Sequence, residues 1–174
     1  APYGYFSPDD PDAGYMMWAQ AQTLADIPFS GMAATHDTGE INCIHPADKK
    51  SVGDRLAYLA LVNDYGYKGI DAATPLPIDF LFEEGQAIVT FEAGEMGLNP
   101  LSKDVDGFEL AGEDGVFYPA KGIVLWNDPR RVLVYKCPQV QKPVAVRYGM
   151  KNWSEATLFN SSGIPISPFR SDNY

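Results

Sequence analysis

Two stretches in the first third of the chain repeat apolar residues at the spacing of an α-helix. In the first, Met17, Ala21 and Leu24 share one face behind Pro11 and Asp12, which are residue types typical of a helix start. A proline shortly after Leu24 ends the pattern. We expect an amphipathic helix over this stretch.

The second stretch lies behind Pro46 and Asp48, which suit the first turn and the capping position of a helix. A glycine at position 66 marks its predicted end. Between these points, one helical face carries four apolar residues: Val52, Leu56, Leu59 and Val62.

Residues 31–35 (GMAAT) form a short run of small apolar residues between the two predicted helices. Such a run is typical of a buried parallel strand. The polar residues 36–45 are then expected to form a loop at the carboxyl end of that strand. Ligands and catalytic groups gather at this edge of an open α/β sheet.

The pattern changes after residue 67 from helical spacing to alternation of apolar residues. The turn sequences Glu84-Gly85 and Asn127-Asp128-Pro129 separate alternating runs and predict two hairpins. The alternating positions are Ile78, Phe80 and Phe82 with Ala87, Val89 and Phe91, then residues 122–126 with 132–136, and finally Val144, Val146 and Tyr148. Several short strands at this spacing predict a β-sandwich.

These patterns divide the chain into two predicted domains. Residues 1–67 are predicted to be the C-terminal portion of an α/β domain, and residues 68–174 to be an all-β sandwich domain. One helix–strand–helix unit cannot cover both faces of a sheet. We therefore expect the remaining strands upstream of Ala1, and interpret the chain as a piece of a longer protein.

The charge of the chain argues against two classes of binding partner. With 174 residues, 45% of them hydrophobic, the chain can build a core, but its net charge is -10. An acidic chain lacks the Lys and Arg clusters that bind nucleic acid or anionic membranes, and we expect neither as a partner. Cys43 and Cys137 are expected to be free thiols, with a disulfide as the alternative.

His45 stands on a proline-bearing turn just before the second predicted helix, where its ring is expected to be free. A neutral imidazole accepts a proton near pH 7, so this position suits a general base. The alternative is a loop histidine that caps the helix or faces solvent. A base also needs a partner on its other ring nitrogen, and Asp37, Glu40 and Asn42 lie near in sequence.

The same loop carries residue types that ligate metals or act as nucleophiles. Asp37, Glu40, Cys43 and His45 could ligate zinc, but no second cluster accompanies them, so we expect no metal. His36 is expected to be structural. No serine of the chain lies in a G-x-S-x-G motif, and Cys43 is too near His45 to pair with it. The chain thus has a candidate base and no candidate nucleophile.

Some cations and aromatic residues have two interpretations. Arg55 is expected to form a surface salt bridge with Asp48, Asp54 or a loop carboxylate. Arg147-Tyr148 and residues 168–170 (PFR) mix aromatic rings with a cation, as do sugar-contacting surfaces and ordinary cross-strand pairs. Trp126 and Trp153 share that ambiguity.

The residues around His45 resemble the histidine block of sialate O-acetylesterases, which belong to the SGNH hydrolase superfamily. The resemblance covers nearly the whole chain in order. Its positions are Gln20 or Gln22, Gly31-Met32, Asp37-x-Gly39, Ile44-His45-Pro46, Lys49 or Lys50, Val52-Gly53, residues 55–57 (RLA), 108–115 (FELAGEDG), 146–148 (VRY), 158–160 (LFN) and 165–170 (PISPFR).

This resemblance implies the C-terminal piece of an SGNH-type, flavodoxin-like α/β domain followed by a β-sandwich. The implied activity is that of a serine esterase that removes O-acetyl groups from sialic acids or related sugars, with no cofactor. Its nucleophile lies in a Gly-Gln-Ser-Asn type motif that this chain lacks, so the serine is expected upstream. By the same resemblance, His45 is the base. Such enzymes commonly carry an Asp where this chain has Asn42, so Asp37, Glu40 or no carboxylate orients His45; we favour Asp37.

The implied partners are an O-acetylated sugar and the N-terminal part of the same enzyme, in a periplasmic or secreted setting. Two alternatives remain. One is a non-catalytic carbohydrate-binding or structural β module. The other is an SGNH esterase that acts on acetylated xylan or another ester.

Overall fold

A computed structural model describes residues 1–172, in which both predicted helices are present and most of the later chain is antiparallel β-sheet. The helices are α1 (Asp12–Asp26) and α2 (Lys50–Asn63). The strands are β1 (Leu76–Glu83), β2 (Gln86–Glu92), β3 (Leu98–Asn99), β4 (Asp104–Ala111), β5 (Phe117–Val124), β6 (Arg131–Val134), β7 (Ala145–Tyr148), β8 (Phe159–Asn160) and β9 (Phe169–Arg170). None of the helices in this range is long and apolar enough to span a bilayer.

Helix α1 is held against the segment that follows β7. Its buried face carries Ala13, Gly14 and Met17, and the Ala13 N–H donates to Asn152 Oδ1 at 2.8 Å. Gly14 permits close packing, because a Cβ there would lie 2.7 Å from the Cα of Met150. The first helix is therefore fixed by residues that follow β7.

Helix α2 begins where the sequence predicts. Asp48 Oδ1 accepts a hydrogen bond from the Ser51 N–H at 3.0 Å, as a capping side chain does. The predicted apolar face is little covered, however, since Leu56 is 54% exposed and Arg55 is the one buried residue of the helix. The helix leaves apolar side chains in solvent within this chain.

The predicted parallel strand at residues 31–35 stays a prediction, because the sheet neighbours that it needs were expected upstream of Ala1. This segment is extended but joins no strand among residues 1–172. Its backbone is bound by side chains instead: Arg55 donates to the Ala34 carbonyl at 2.6 Å, and Thr74 donates to the Met32 carbonyl at 3.3 Å. Only Ala34 of this segment is buried, and these two bonds satisfy two of its carbonyls.

The predicted hairpins are confirmed. Strands β1 and β2 pair through the Glu84-Gly85 turn, in which both residues have positive φ, as a tight two-residue turn requires. Strands β5 and β6 pair around residues 127–129. The main sheet has seven strands in the order β1-β2-β6-β5-β4-β7-β9, and β3 and β8 form a separate pair.

The main sheet curls until its two edges approach each other. Phe80 on β1 and Phe169 on β9 lie on opposite edge strands, yet their ring centroids are 5.9 Å apart. The all-β character of this part is confirmed, as a near-barrel of antiparallel strands. The division into the two facing sheets of a sandwich is not confirmed.

An aromatic cluster fills the space inside the curled sheet. Phe108 lies 5.0 Å from Tyr148 between ring centroids, and Phe91 lies 5.6 Å from Phe169 in an edge-to-face arrangement. These rings are buried together with the inward-facing valines and leucines of the strands. Tyr148 and Phe169 are therefore core residues and not parts of a sugar-contacting surface.

The predicted boundary between domains at residue 67 stays a prediction. The helical part and the sheet contact each other through α1, where Tyr15 and Trp18 pack beside the Arg170 guanidinium at 5.2 and 5.9 Å. Arg170 in turn pairs with Asp172.

Candidate functional site

The loop that carries His45 is closed by hydrogen bonds between its own residues. Glu40 Oε1 accepts the Ala47 N–H at 2.6 Å, so one carboxylate joins the start of the loop to the entrance of α2. Cys43 Sγ contacts the His45 carbonyl oxygen at 3.3 Å, and the Cys43 N–H donates to the Glu40 carbonyl. The backbone on both sides of His45 is thereby fixed.

The His45 side chain projects from this closed loop into solvent. Within residues 1–172, its ring makes no hydrogen bond to another side chain or to the backbone, whereas Glu40 and Cys43 are both engaged in the loop. The ring nitrogens are therefore accessible for proton transfer. The role of His45 as a base stays a prediction.

Asp37 is paired with Arg55. The two guanidinium nitrogens Nη1 and Nη2 meet the two carboxylate oxygens at 2.7 and 2.5 Å, and Nη1 also donates to the Ala34 carbonyl. The Arg55 side chain is 7% exposed and that of Asp37 is 24% exposed. The expected surface salt bridge of Arg55 is thus a partly buried ion pair with a loop carboxylate.

None of the three candidate orienting residues contacts the His45 ring in the part of the chain that the structure describes. The Asp37 carboxylate is occupied by Arg55, Glu40 binds the Ala47 N–H, and Asn42 is exposed. An orienting role for Asp37 remains a prediction. Its ion pair gives it a structural function in any case.

His36 forms a pair with Ser154 that the sequence did not indicate. His36 Nε2 lies 2.8 Å from Ser154 Oγ, and the two residues are 118 positions apart. The ring is buried edge-on against Tyr148, at 5.6 Å between centroids, and burial lowers its pKa to about 4. No local sequence signal joins residues at such a separation.

Histidine and serine are residue types that act as base and nucleophile in esterases. The His36–Ser154 pair, however, lacks the proton affinity and, among residues 1–172, the orienting partner that this role needs. A histidine of such low pKa is a weak acceptor for a serine proton. Within the described range, the buried His36 Nδ1 has no hydrogen-bond partner, so no carboxylate fixes its tautomer. This geometry agrees with the predicted structural role of His36.

A cleft of about 820 Å³ opens between the strands and the segment that follows β7. Trp153 and Tyr135 lie in its wall, and Ile41 enters it from the His45 loop. The cleft was missed by sequence reasoning because its lining comes from six separate regions of the chain. Among residues 1–172, no three His, Cys, Asp or Glu side chains are grouped as metal ligands.

The structure also shows the state of the two cysteines and the surroundings of Arg147 and Trp126. Cys43 and Cys137 are free thiols, as predicted. The Arg147 guanidinium lies 4.1 Å from the centre of the Phe117 ring and pairs with Glu109 at 2.7 Å, which is cross-strand packing. Trp126 is 81% exposed and lies outside the cleft.

Known structures include relatives of this fold. The fold is similar to that of a solved carbohydrate acetylesterase. That protein is XAC1771 from Xanthomonas citri; the TM-score is 0.87 and the sequences are 32% identical. The match covers 99% of this chain and 40% of XAC1771, so the chain spans less than half the length of that protein. No protein-family model and no curated protein matches the chain.

Proposed function

We propose that the chain is the C-terminal part of a carbohydrate O-acetylesterase, a serine esterase in which His45 is the general base. One observation carries the proposal: similarity to XAC1771 extends over 99% of the chain at 32% identity. The free imidazole of His45, on a loop that its own hydrogen bonds hold in place, supplies the chemical group that such an enzyme needs.

In the proposed reaction, a serine outside this chain attacks the carbonyl carbon of a sugar acetate. His45 takes the serine proton as the tetrahedral intermediate forms, and gives it to the sugar oxygen as the ester bond breaks. His45 then accepts a proton from water as the water attacks the acetyl group on the serine, and returns that proton to the serine oxygen as acetate leaves. A solvent-exposed ring can turn towards a serine supplied by another segment.

Exposed apolar residues on the surface of this chain support a position of the serine on another segment. The apolar residues Phe6 and Phe29 are fully exposed, and Leu56 on α2 is 54% exposed. Large apolar side chains in solvent are what a surface covered by another segment presents when that segment is absent. An N-terminal part of the same enzyme, with the strands of an SGNH-type α/β domain, is the cover that we propose.

The substrate proposed is an O-acetylated sugar. The resemblance around His45 favours acetylated sialic acid, while acetylated xylan or another ester is the alternative within the same chemistry. Release of acetate from acetylated sialic acid and from acetylated xylan, measured side by side with the full-length protein, decides between these substrates.

The full-length protein tests the proposal through an aryl acetate, which needs no sugar recognition. We expect hydrolysis that a serine-directed inhibitor stops, and a loss of at least about a thousandfold in the His45→Ala variant. Trp126→Ala, at an exposed site in the turn between β5 and β6, is the control and should keep full activity. Activity of His45→Ala within tenfold of wild type would refute the role of His45.

The second candidate is a non-catalytic carbohydrate-binding module. The cleft with Trp153 and Tyr135 favours it, as does the lack of any contact from Asp37, Glu40 or Asn42 to the His45 ring within residues 1–172. A full-length protein that binds sugars but leaves aryl acetates intact would establish this function in place of the esterase.

A further inference from the structure

The cleft that contains Trp153 and Tyr135 has the dimensions and composition of a ligand site. Its volume of about 820 Å³ lies within the range of about 300–1,000 Å³ that is usual for small-molecule sites. Phe108, Ala120 and Met150 contribute apolar surface to its lining, and charged and hydroxyl side chains contribute polar groups. A site of this kind binds a ligand that has both apolar faces and polar edges.

Two of its three aromatic side chains supply flat, accessible apolar surfaces. Trp153 and Tyr135 are both partly exposed and line the same cleft from different segments of the chain. The face of a sugar ring presents C–H groups, which pack on an aromatic ring, while the hydroxyl groups at its edge need hydrogen-bond partners. Asp104 accepts a hydrogen bond from the Tyr135 hydroxyl at 3.2 Å, which holds that ring in position.

The charges around the cleft favour a neutral ligand. Four acidic residues and three lysines line it, and two of the lysines are already paired: Lys151 with Asp9 at 2.7 Å and Lys121 with Asp106 at 3.2 Å. An anionic sugar such as sialic acid needs an excess of free positive charge, which this balance does not offer. The paired groups still present donors and acceptors to hydroxyl groups.

We infer that this cleft is a binding subsite for a neutral glycan chain, with Trp153 as its main platform. The inference rests on the proposed function, because Ile41 in the cleft wall belongs to the loop that carries His45. In the full-length esterase, the subsite would hold sugar units next to the acetylated unit and direct a polymeric substrate towards His45.

The test is a calorimetric titration of this chain with neutral oligosaccharides that carry no acetyl groups, xylohexaose and cellohexaose, and with sialyllactose as the anionic probe. We expect at least one neutral hexasaccharide to bind and sialyllactose to bind more weakly. Trp153→Ala should weaken binding of the neutral probe by about tenfold, as the loss of a central aromatic contact does. Trp126→Ala is the matched control and should bind as wild type.

Thermal unfolding of each variant shows whether the fold is kept. If Trp153→Ala fails to fold, Trp153→Phe and Tyr135→Ala decide in its place: the first should keep part of the affinity and the second should lose several-fold. No binding of either neutral probe at millimolar concentration overturns the inference, as does stronger binding of sialyllactose or an equal loss in Trp126→Ala. Because these probes carry no ester, the result is independent of whether the full-length protein hydrolyses an aryl acetate.

Discussion

Arg55 and Asp37 form a two-point ion pair in which each of two guanidinium nitrogens meets one carboxylate oxygen, at 2.7 and 2.5 Å. The pair ties the first turns of α2 to the start of the His45 loop. Arg55 also binds the Ala34 carbonyl, so one buried side chain fixes the segment before the loop and the loop itself. A substitution at Asp37 is therefore expected to lower the stability of the fold, whatever its effect on catalysis.

We predict that Asp37→Asn lowers the free energy of unfolding of this chain by about 2 kcal/mol. Loss of one partner leaves the Arg55 charge buried, and the usual cost of about 3–5 kcal/mol is reduced here because Asp37 is partly solvated. Urea unfolding measures the change. Asp54→Asn, which removes the exposed pair with Lys50, is the control and should cost no more than about 0.5 kcal/mol. Unchanged stability of Asp37→Asn, together with a large loss of kcat in the full-length enzyme, would assign Asp37 to orienting His45 instead.

This chain by itself is expected to have no esterase activity. His45 has no serine partner within residues 1–172, and removal of a triad serine costs about 10⁶ in rate in a well-studied protease. An aryl acetate assay, with free imidazole at equal concentration as the reference, measures this. Turnover well above imidazole that a serine-directed inhibitor abolishes would contradict the prediction, and Ser154→Ala would then show whether the pair with His36 is responsible.

Glu40 is predicted to hold the His45 loop through an oxygen that glutamine also has. Glu40→Gln should keep the hydrogen bond to the Ala47 N–H, whereas Glu40→Ala removes it and should cost about 1 kcal/mol. Hydrogen exchange of the Ala47 amide measures the difference directly. We expect exchange to accelerate in Glu40→Ala and to stay near wild type in Glu40→Gln. Equal acceleration in both variants would show that the negative charge is what holds the loop.

The buried His36 predicts a dependence of stability on pH. Its pKa of about 4 in the folded chain lies below the ordinary value of 6.5, so the unfolded chain binds a proton in this range that the folded chain does not. The contribution is present in full above pH 6.5 and is lost as pH falls towards 4, up to roughly 3 kcal/mol. Urea unfolding of wild type and His36→Gln between pH 7 and 4 measures it. The variant should lose less stability on acidification, and parallel curves for the two proteins would refute the prediction.

The helices and hairpins could be predicted because each depends on residues close in sequence. The capping oxygen of Asp48 and the positive-φ turn at Glu84-Gly85 act within a few positions, and both lie where the pattern placed them. The assignment of segment 31–35 as a strand stays a prediction, because its expected sheet neighbours are not among residues 1–172. Within that range, the side chains of Arg55 and Thr74 bind two of its carbonyls, and no local pattern reveals those contacts.

The candidate site was predicted only in part. The exposed His45 follows from its turn and its proline, and a loop carboxylate was among the expected partners of Arg55. The pairing of His36 with Ser154 and the cleft around Trp153 depend on how the strands order themselves in the sheet. That order, with β6 between β2 and β5, is set by packing of residues far apart in sequence, which a periodicity within one segment cannot encode.

The hydrogen bond from Ala13 to Asn152 also sets an order of events during synthesis. The two residues are 139 positions apart, so the docking surface of the first helix does not exist until the ribosome has made most of the chain. At roughly 5–20 residues per second, α1 waits on the order of ten seconds with its apolar face open to other molecules. A nascent chain arrested before residue 152 should therefore bind chaperones through its first helix, and release them once the last strands are made.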